Sequence, residues 1–173
     1  FNLDLIYGLP FQTVDEFEKT VDKIIELDPD RIALFNFAHV PWMKKHQKLI
    51  NADDLPKAEE KLQILKMSVA KLTGAGYEFI GMDHFAKPDD ELTIALKEKK
   101  LYRNFQGYST RAGADLFGFG ITSISQLSEA YVQNIKEEKP YYESLDNGEI
   151  PTFKGYKLTD DDILRRHVIM KVM

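Results

Sequence analysis

The stretch Arg31-Ile32-Ala33-Leu34-Phe35-Asn36-Phe37 is apolar on nearly every position, and a strand with that pattern needs cover on both faces. A second short apolar run spans residues 1–7, broken by Asp4 and closed by the turn-forming Gly8-Leu9-Pro10. Between the two, Thr13-Val14-Asp15-Glu16 is a capping-box pattern, after which Phe17, Val21, Ile24, Ile25 and Leu27 recur at helical spacing. Asp28-Pro29-Asp30 stops that helix. Strand, helix and strand in this order form a βαβ unit with a parallel pair. A second helix is predicted over 57–72, with Leu62, Leu65, Val69 and Leu72 on one face and Gly74 and Gly76 at its end; a third strand follows over 78–82. The alternation predicts an α/β fold with a parallel sheet, either an open wound sheet or part of a barrel. Chemistry in such sheets gathers at the C-terminal ends of strands, which singles out Gly8, Ala38, His39, Met82, Asp83 and His84.

Composition narrows the function classes. The 173 residues can bury one core. A net charge of -5 leaves no clustered Lys and Arg for nucleic acid. No apolar run approaches the roughly 20 residues of a membrane span, and nothing has the pattern of a secretory signal. The chain has no Cys, which excludes disulfides, thiolate chemistry and zinc ribbons within it and fits a cytoplasmic protein. It opens inside an apolar run without an initiator Met and closes over 163–173 in a helix-like pattern that no Gly or Pro ends. A piece of a longer protein is expected at both ends.

Elsewhere the period is weaker. Residues 40–56 form a long surface excursion carrying Trp42 and several Lys, longer than most loops and so a functional candidate. A helix is expected over 89–99, a turn-rich boundary over 143–151, and a new helix after Thr159-Asp160-Asp161-Asp162. Asp4, inside an apolar strand, is expected to be a buried carboxylate with a donor partner or a ligand contact. The adjacent Asp83 and His84 could orient an imidazole or relay protons, but two polar residues are too few for a metal site. His46 and His167 have polar surroundings and are expected to be solvated. Arg103-Asn104-Phe105-Gln106-Gly107-Tyr108 combines a cation, two amides and two aromatics, a set suited to a ring-shaped molecule bearing carboxylates. An ordinary packed loop is the alternative there. Gly118-Phe119-Gly120 lets backbone approach a ligand closely, yet it lacks the third glycine of the dinucleotide fingerprint.

Several of these strings are similar to those of the oxygen-independent coproporphyrinogen III dehydrogenases (oxidases), of the radical S-adenosylmethionine (SAM) superfamily. They are Asp4-Leu5-Ile6-Tyr7-Gly8-Leu9-Pro10, Gly81-Met82-Asp83-His84-Phe85-Ala86 and Arg103-Asn104-Phe105-Gln106-Gly107-Tyr108, with lesser matches along nearly the whole chain. The resemblance implies an α/β fold, the later part of an incomplete parallel β/α barrel over 1–150, and the start of a mostly helical C-terminal domain over 151–173. It implies an oxidoreductase of haem biosynthesis. In that family a 4Fe-4S cluster cleaves SAM to a 5′-deoxyadenosyl radical, which takes a hydrogen from a substrate propionate; loss of an electron and of carbon dioxide leaves a vinyl group. Two propionates of coproporphyrinogen III react, giving protoporphyrinogen IX, and an electron donor is required. Carried over by position, Asp4, Ala38 and Ile124 resemble SAM contacts and Gln106 a site-lining residue, while a carboxylate-binding role for Arg103 follows from its chemistry. The family's C-x-x-x-C-x-x-C cluster motif is absent from this chain, so the segment alone is expected to be inactive, and its open strand edges invite self-association. A haem-binding relative of the same superfamily, or a non-catalytic tetrapyrrole or partner-binding domain, is the alternative.

Overall fold

The structure is a computed structural model that describes residues 1–104 and 107–172, with side chains as far as residue 170. It divides into two compact units, Phe1–Lys100 and Leu101–Met173.

The first unit builds the expected βαβ start. Strand β1 (Asn2–Tyr7) leads into helix α1 (Val14–Leu27), and β2 (Arg31–Asn36) returns parallel to β1 with Asp4 opposite Ala33 and Ile6 opposite Phe35. The Thr13 side chain accepts from Glu16 N–H at 3.3 Å, as a helix N-cap should. Asp28 ends the helix in the left-handed region, where a short polar side chain is tolerated. After two short 3₁₀ turns, Lys45–Leu49 and Ala52–Asp54, helix α2 (Ala58–Gly74) packs on α1.

The inward face of α2 differs from the expected one. Ile64, Ser68 and Leu72, spaced four apart, are fully buried, with Leu65 and Val69 beside them, while Leu62 turns outward. Burial of Ser68 is tolerated because its hydroxyl donates to Ile64 C=O at 2.8 Å.

The sheet also departs from the all-parallel expectation. Strand β3 (Glu78–Gly81) turns at Met82 and Asp83 into β4 (His84–Ala86), which inserts antiparallel between β2 and β3, giving the order β1-β2-β4-β3. The string Gly81 to Ala86 is therefore a hairpin rather than a strand tip followed by a loop. Gly81, with φ far into the positive region, and Met82 at φ 51° supply the tight reversal. A mixed sheet results, with α1 and α2 on one face; Tyr7, Phe17, Val21, Ile32, Leu34, Ile64, Leu72, Tyr77 and Phe85 form the core. Helix α3 (Glu91–Lys97) follows, capped by Asp90, whose carboxylate also takes Arg31 Nε at 2.8 Å and so ties β2 to the helix start.

Tyr77 lies in this core with its hydroxyl donating to Pro29 C=O at 2.8 Å. Burial pushes its phenol above the ordinary value, helped by the Asp28 carboxylate. The stability this neutral phenol contributes is fully present below the unfolded-chain value of about 10 and is lost as pH rises through the higher folded value. Tyr77→Phe is expected to lower stability by about 1 kcal/mol at neutral pH and to flatten the alkaline fall, read by urea denaturation at a series of pH values.

The second unit begins with a two-stranded hairpin, β5 (Tyr102–Asn104) and β6 (Gly107–Ser109), where a packed loop was the alternative expectation. A three-stranded antiparallel sheet follows, made of β7 (Ile124–Gln126), β8 (Ala130–Asn134) and, after helix α4 (Glu138–Asp146), β9 (Thr152–Lys157). Residues on both sides of position 150 thus share this unit. Helix α5 (Asp160–Val172) ends the unit, anchored by Arg166, whose guanidinium donates to Leu127 C=O at 3.3 Å and Ser128 C=O at 2.6 Å. Among the described residues no helix is long and apolar enough to cross a membrane.

Candidate functional site

In the first unit the candidate residues collect on the sheet face opposite the helices and on the turns at the strand ends. Strand alternation sends Leu3, Leu5 and Tyr7 toward the core, so Asp4 and Ile6 point the other way. The register aligns Asp4 with Ala33 and Ala33 with His84, and Ile6 with Phe35, so these residues share one face. Asp4 is exposed there, not buried as expected, and one carboxylate oxygen accepts from Asn2 Nδ2 at 2.7 Å. Its other lone pairs suit a ligand amine or hydroxyl.

Asp83 and His84 come together as the sequence suggested, Nδ1 lying 2.6 Å from Asp83 Oδ1. The Phe35 ring stands edge-on to the imidazole, centroids 6.2 Å apart. Leu34 N–H donates to Asp83 C=O at 2.7 Å, which fixes the hairpin turn against β2. His46 and His167 are exposed.

Two glutamines, neither foreseen, hold the turns that follow β1 and β2. Gln12 Oε1 accepts from Gly8 N–H at 2.6 Å, where Gly8 has φ +86° and a Cβ would meet Lys61 and Asn36. Gln47 bonds to three consecutive residues. Its Nε2 donates to Ala38 C=O at 3.2 Å, its Oε1 accepts from Val40 N–H at 2.6 Å, and its carbonyl lies 3.2 Å from His39 Nε2. A lone amide in a loop has no periodicity, and nothing but nearness to a turn could have flagged either residue.

In the second unit Arg103 stands opposite Tyr108, its guanidinium 5.6 Å from the ring centroid. It lines a cleft of ≈ 530 Å³ with Tyr131, Arg165, Arg166, Ile169 and Met170 among its walls. Asp162, also in that wall, is held below the usual carboxylate range by the Thr159 hydroxyl and N–H and by the Tyr156 hydroxyl. Gln106 lies outside the described residues.

Ile124 opens β7, opposite Gln133. The turn before it is clamped by Asn134, whose Nδ2 donates to Gly120 C=O at 3.0 Å and to Ser123 Oγ at 2.9 Å. That clamp holds Thr122 at φ 61°, a strained position for a β-branched residue. Asp4 and Ala38 therefore share the first unit, Arg103 and Ile124 the second.

Without Cys the chain supplies no thiolate for an iron-sulfur cluster, and among the described residues no three His, Asp or Glu converge as metal ligands. For SAM the exposed Asp4 carboxylate and the fixed Ala38 backbone are a fitting acceptor set.

No family model matches the chain. It is 56% identical over 172 residues to an oxygen-independent coproporphyrinogen III oxidase of Synechocystis sp., covering 99% of this chain and 37% of the relative. Against the enzyme of that name from Escherichia coli it is 48% identical, covering 99% and 38%; against that from Thermostichus vulcanus it is 53% identical, covering 99% and 53%. Among solved structures it is similar to the coproporphyrinogen III oxidase HemN of Escherichia coli, a radical SAM enzyme, with TM-score 0.93 and 48% identity over 99% of this chain and 39% of that one. The chain spans under two-fifths of the length of the first two relatives. Over nearly its whole length, then, this chain is similar to part of the proteins named oxygen-independent coproporphyrinogen III oxidase.

Proposed function

We propose that this chain is part of a radical SAM oxidoreductase that converts two propionates of coproporphyrinogen III to vinyl groups, giving protoporphyrinogen IX in haem biosynthesis. The supporting observation is identity of 48–56% along the whole chain to proteins bearing the oxidase name. In this reading the segment contributes later strands of an incomplete β/α barrel over 1–150 and leads from 151 into a helical domain, in a cytoplasmic protein served by an electron donor. The relatives' names lend no support to the haem-carrier or scaffold alternatives.

A 4Fe-4S cluster with ligands outside this segment, together with SAM, would supply the radical chemistry when bound. The chain's own work is binding and orientation. In the first unit Asp4 accepts from a SAM amine or ribose hydroxyl and the Ala38 backbone contacts SAM; in the second, Ile124 is a SAM contact and Gln106 a site-lining residue by resemblance. Arg103, steadied over Tyr108, pairs with a propionate carboxylate.

The test is anaerobic turnover of the full-length protein carrying this segment, with SAM, a reductant and coproporphyrinogen III. Protoporphyrinogen IX is the expected product, and its absence with cluster and SAM bound overturns the proposal. Within that protein Asp4→Ala is expected to raise the Kd for SAM about tenfold or more, as loss of a charge-assisted hydrogen bond does. Arg103→Ala is expected to weaken coproporphyrin III binding by a similar factor while leaving SAM binding alone; unchanged affinity removes Arg103 from the site. Both are read by equilibrium titration.

A further inference from the structure

We infer that Gln47 is a positioning residue for SAM binding, acting through the Ala38 backbone; the inference rests on the reading of Ala38 as a SAM contact. The ladder of β1 and β2 closes with Phe37 N–H donating to Tyr7 C=O at 2.8 Å. Beyond it the chain leaves the sheet, and the polar groups of residues 38–40 have no strand partner to fix them. Gln47 takes that place. Its side chain grips Ala38 C=O and Val40 N–H, and its carbonyl meets the His39 ring, which stacks on Phe37 at 6.5 Å. Val40 C=O in turn accepts from Met43 N–H and Lys44 N–H, and Lys44 C=O accepts from Gln47 N–H, each at 2.9 Å. The result is a closed ring of bonds built from a segment with no regular strand or α-helix.

The choice of residue follows from this geometry. The clamp needs one donor and one acceptor on a single half-buried side chain of this reach, and a primary amide has both. Glutamate lacks the donor, lysine the acceptor, and asparagine is one methylene too short. A carbonyl with one lone pair engaged has its plane fixed, which aims the remaining lone pair and the Ala38 methyl in a single direction. Binding to such a preformed surface avoids the ordering cost that a loose turn would pay.

The experiment uses the full-length protein and measures SAM affinity by titration calorimetry, coproporphyrin III affinity by absorbance, and thermal unfolding. Gln47→Ala is expected to weaken SAM binding about tenfold, the scale of one lost hydrogen-bonded anchor, with coproporphyrin III affinity unchanged. Gln47→Glu keeps the acceptor for Val40 but replaces the donor to Ala38 with a second acceptor facing its carbonyl, so it is expected to weaken SAM binding while lowering the melting temperature less than Gln47→Ala does. A purely structural clamp predicts the reverse pattern: SAM and coproporphyrin affinities falling together in Gln47→Ala, and wild-type SAM affinity in Gln47→Glu. That result overturns the inference. Ala38→Trp separates the two levels of the argument. If it abolishes SAM binding while both Gln47 variants bind normally, the positioning role fails and the contact stands; if it leaves SAM binding intact, the reading of Ala38 fails first.

Discussion

Phe85→Ala is expected to lower the stability of the first unit by about 3–5 kcal/mol, a large share of the 5–15 kcal/mol that holds a typical domain folded. Phe85 is 1% exposed at the centre of the sheet. It pairs with Ile32 on β2 on one side and with Phe79 on β3 on the other, ring centroids 5.1 Å apart in the second case. Truncation removes most of its buried area and leaves a cavity whose walls are sheet backbone and the core side chains of α1 and α2, none of which can collapse inward cheaply. Urea denaturation checks the size of the effect. The control is Phe79→Ala: that ring is 43% exposed, so the loss is expected near 1–2 kcal/mol. Equal losses at the two positions are incompatible with β4 lying inside the sheet.

The second large effect concerns Asn134. Asn134→Leu keeps the volume but removes the donor to Gly120 C=O and Ser123 Oγ, at a site where the residue is 9% exposed. Gly120 C=O keeps the Ser123 hydroxyl at 2.8 Å, but losing both Asn134 bonds and burying no new donor is expected to cost about 2 kcal/mol. Much of that falls on the turn itself, because Thr122 at φ 61° is held by the surrounding bonds and gains by relaxing once they loosen. Hydrogen exchange at Gly118 and Gly120, whose amides donate to Ser125 Oγ and the Tyr141 hydroxyl, is expected to quicken about thirtyfold for ~2 kcal/mol of local loss. On the proposed reading of Ile124 as a SAM contact, weaker SAM binding by the full-length protein is expected alongside. Unchanged exchange assigns the turn to other anchors.

The βαβ start was legible because each signal has a local cause. A hydroxyl three residues before an acidic one caps α1, a run without polar interruption makes β2, and a glycine at positive φ closes β1. The β3–β4 hairpin was not, since three residues of strand carry too little pattern to reveal that His84 to Ala86 pair with both neighbours. The inward face of α2 was misjudged because Ser68 interrupts the apolar stripe, and its burial becomes acceptable through a bond to its own helix. Asp4 misled in a similar way: a carboxylate in an apolar strand implies burial only if both faces are covered, and the helices cover one. Motif strings led to the resemblance and to Asp4, Ala38, Ile124 and Gln106 as candidates, and side-chain chemistry added Arg103. They could not lead to Gln12, Gln47 or Asn134, whose side-chain partners are mostly backbone groups with no residue identity to match.

The two strand-end turns of the first unit share one property of their fasteners. Gln12 and Gln47 are amides, and an amide neither gains nor loses a proton across the pH range in which a protein works. A carboxylate in either place would have made the fastening a titration, loosening as acid filled its lone pairs. As built, the two side-chain fastenings are themselves blind to pH. Any pH dependence of these two turns therefore comes from groups other than the glutamines that fasten them.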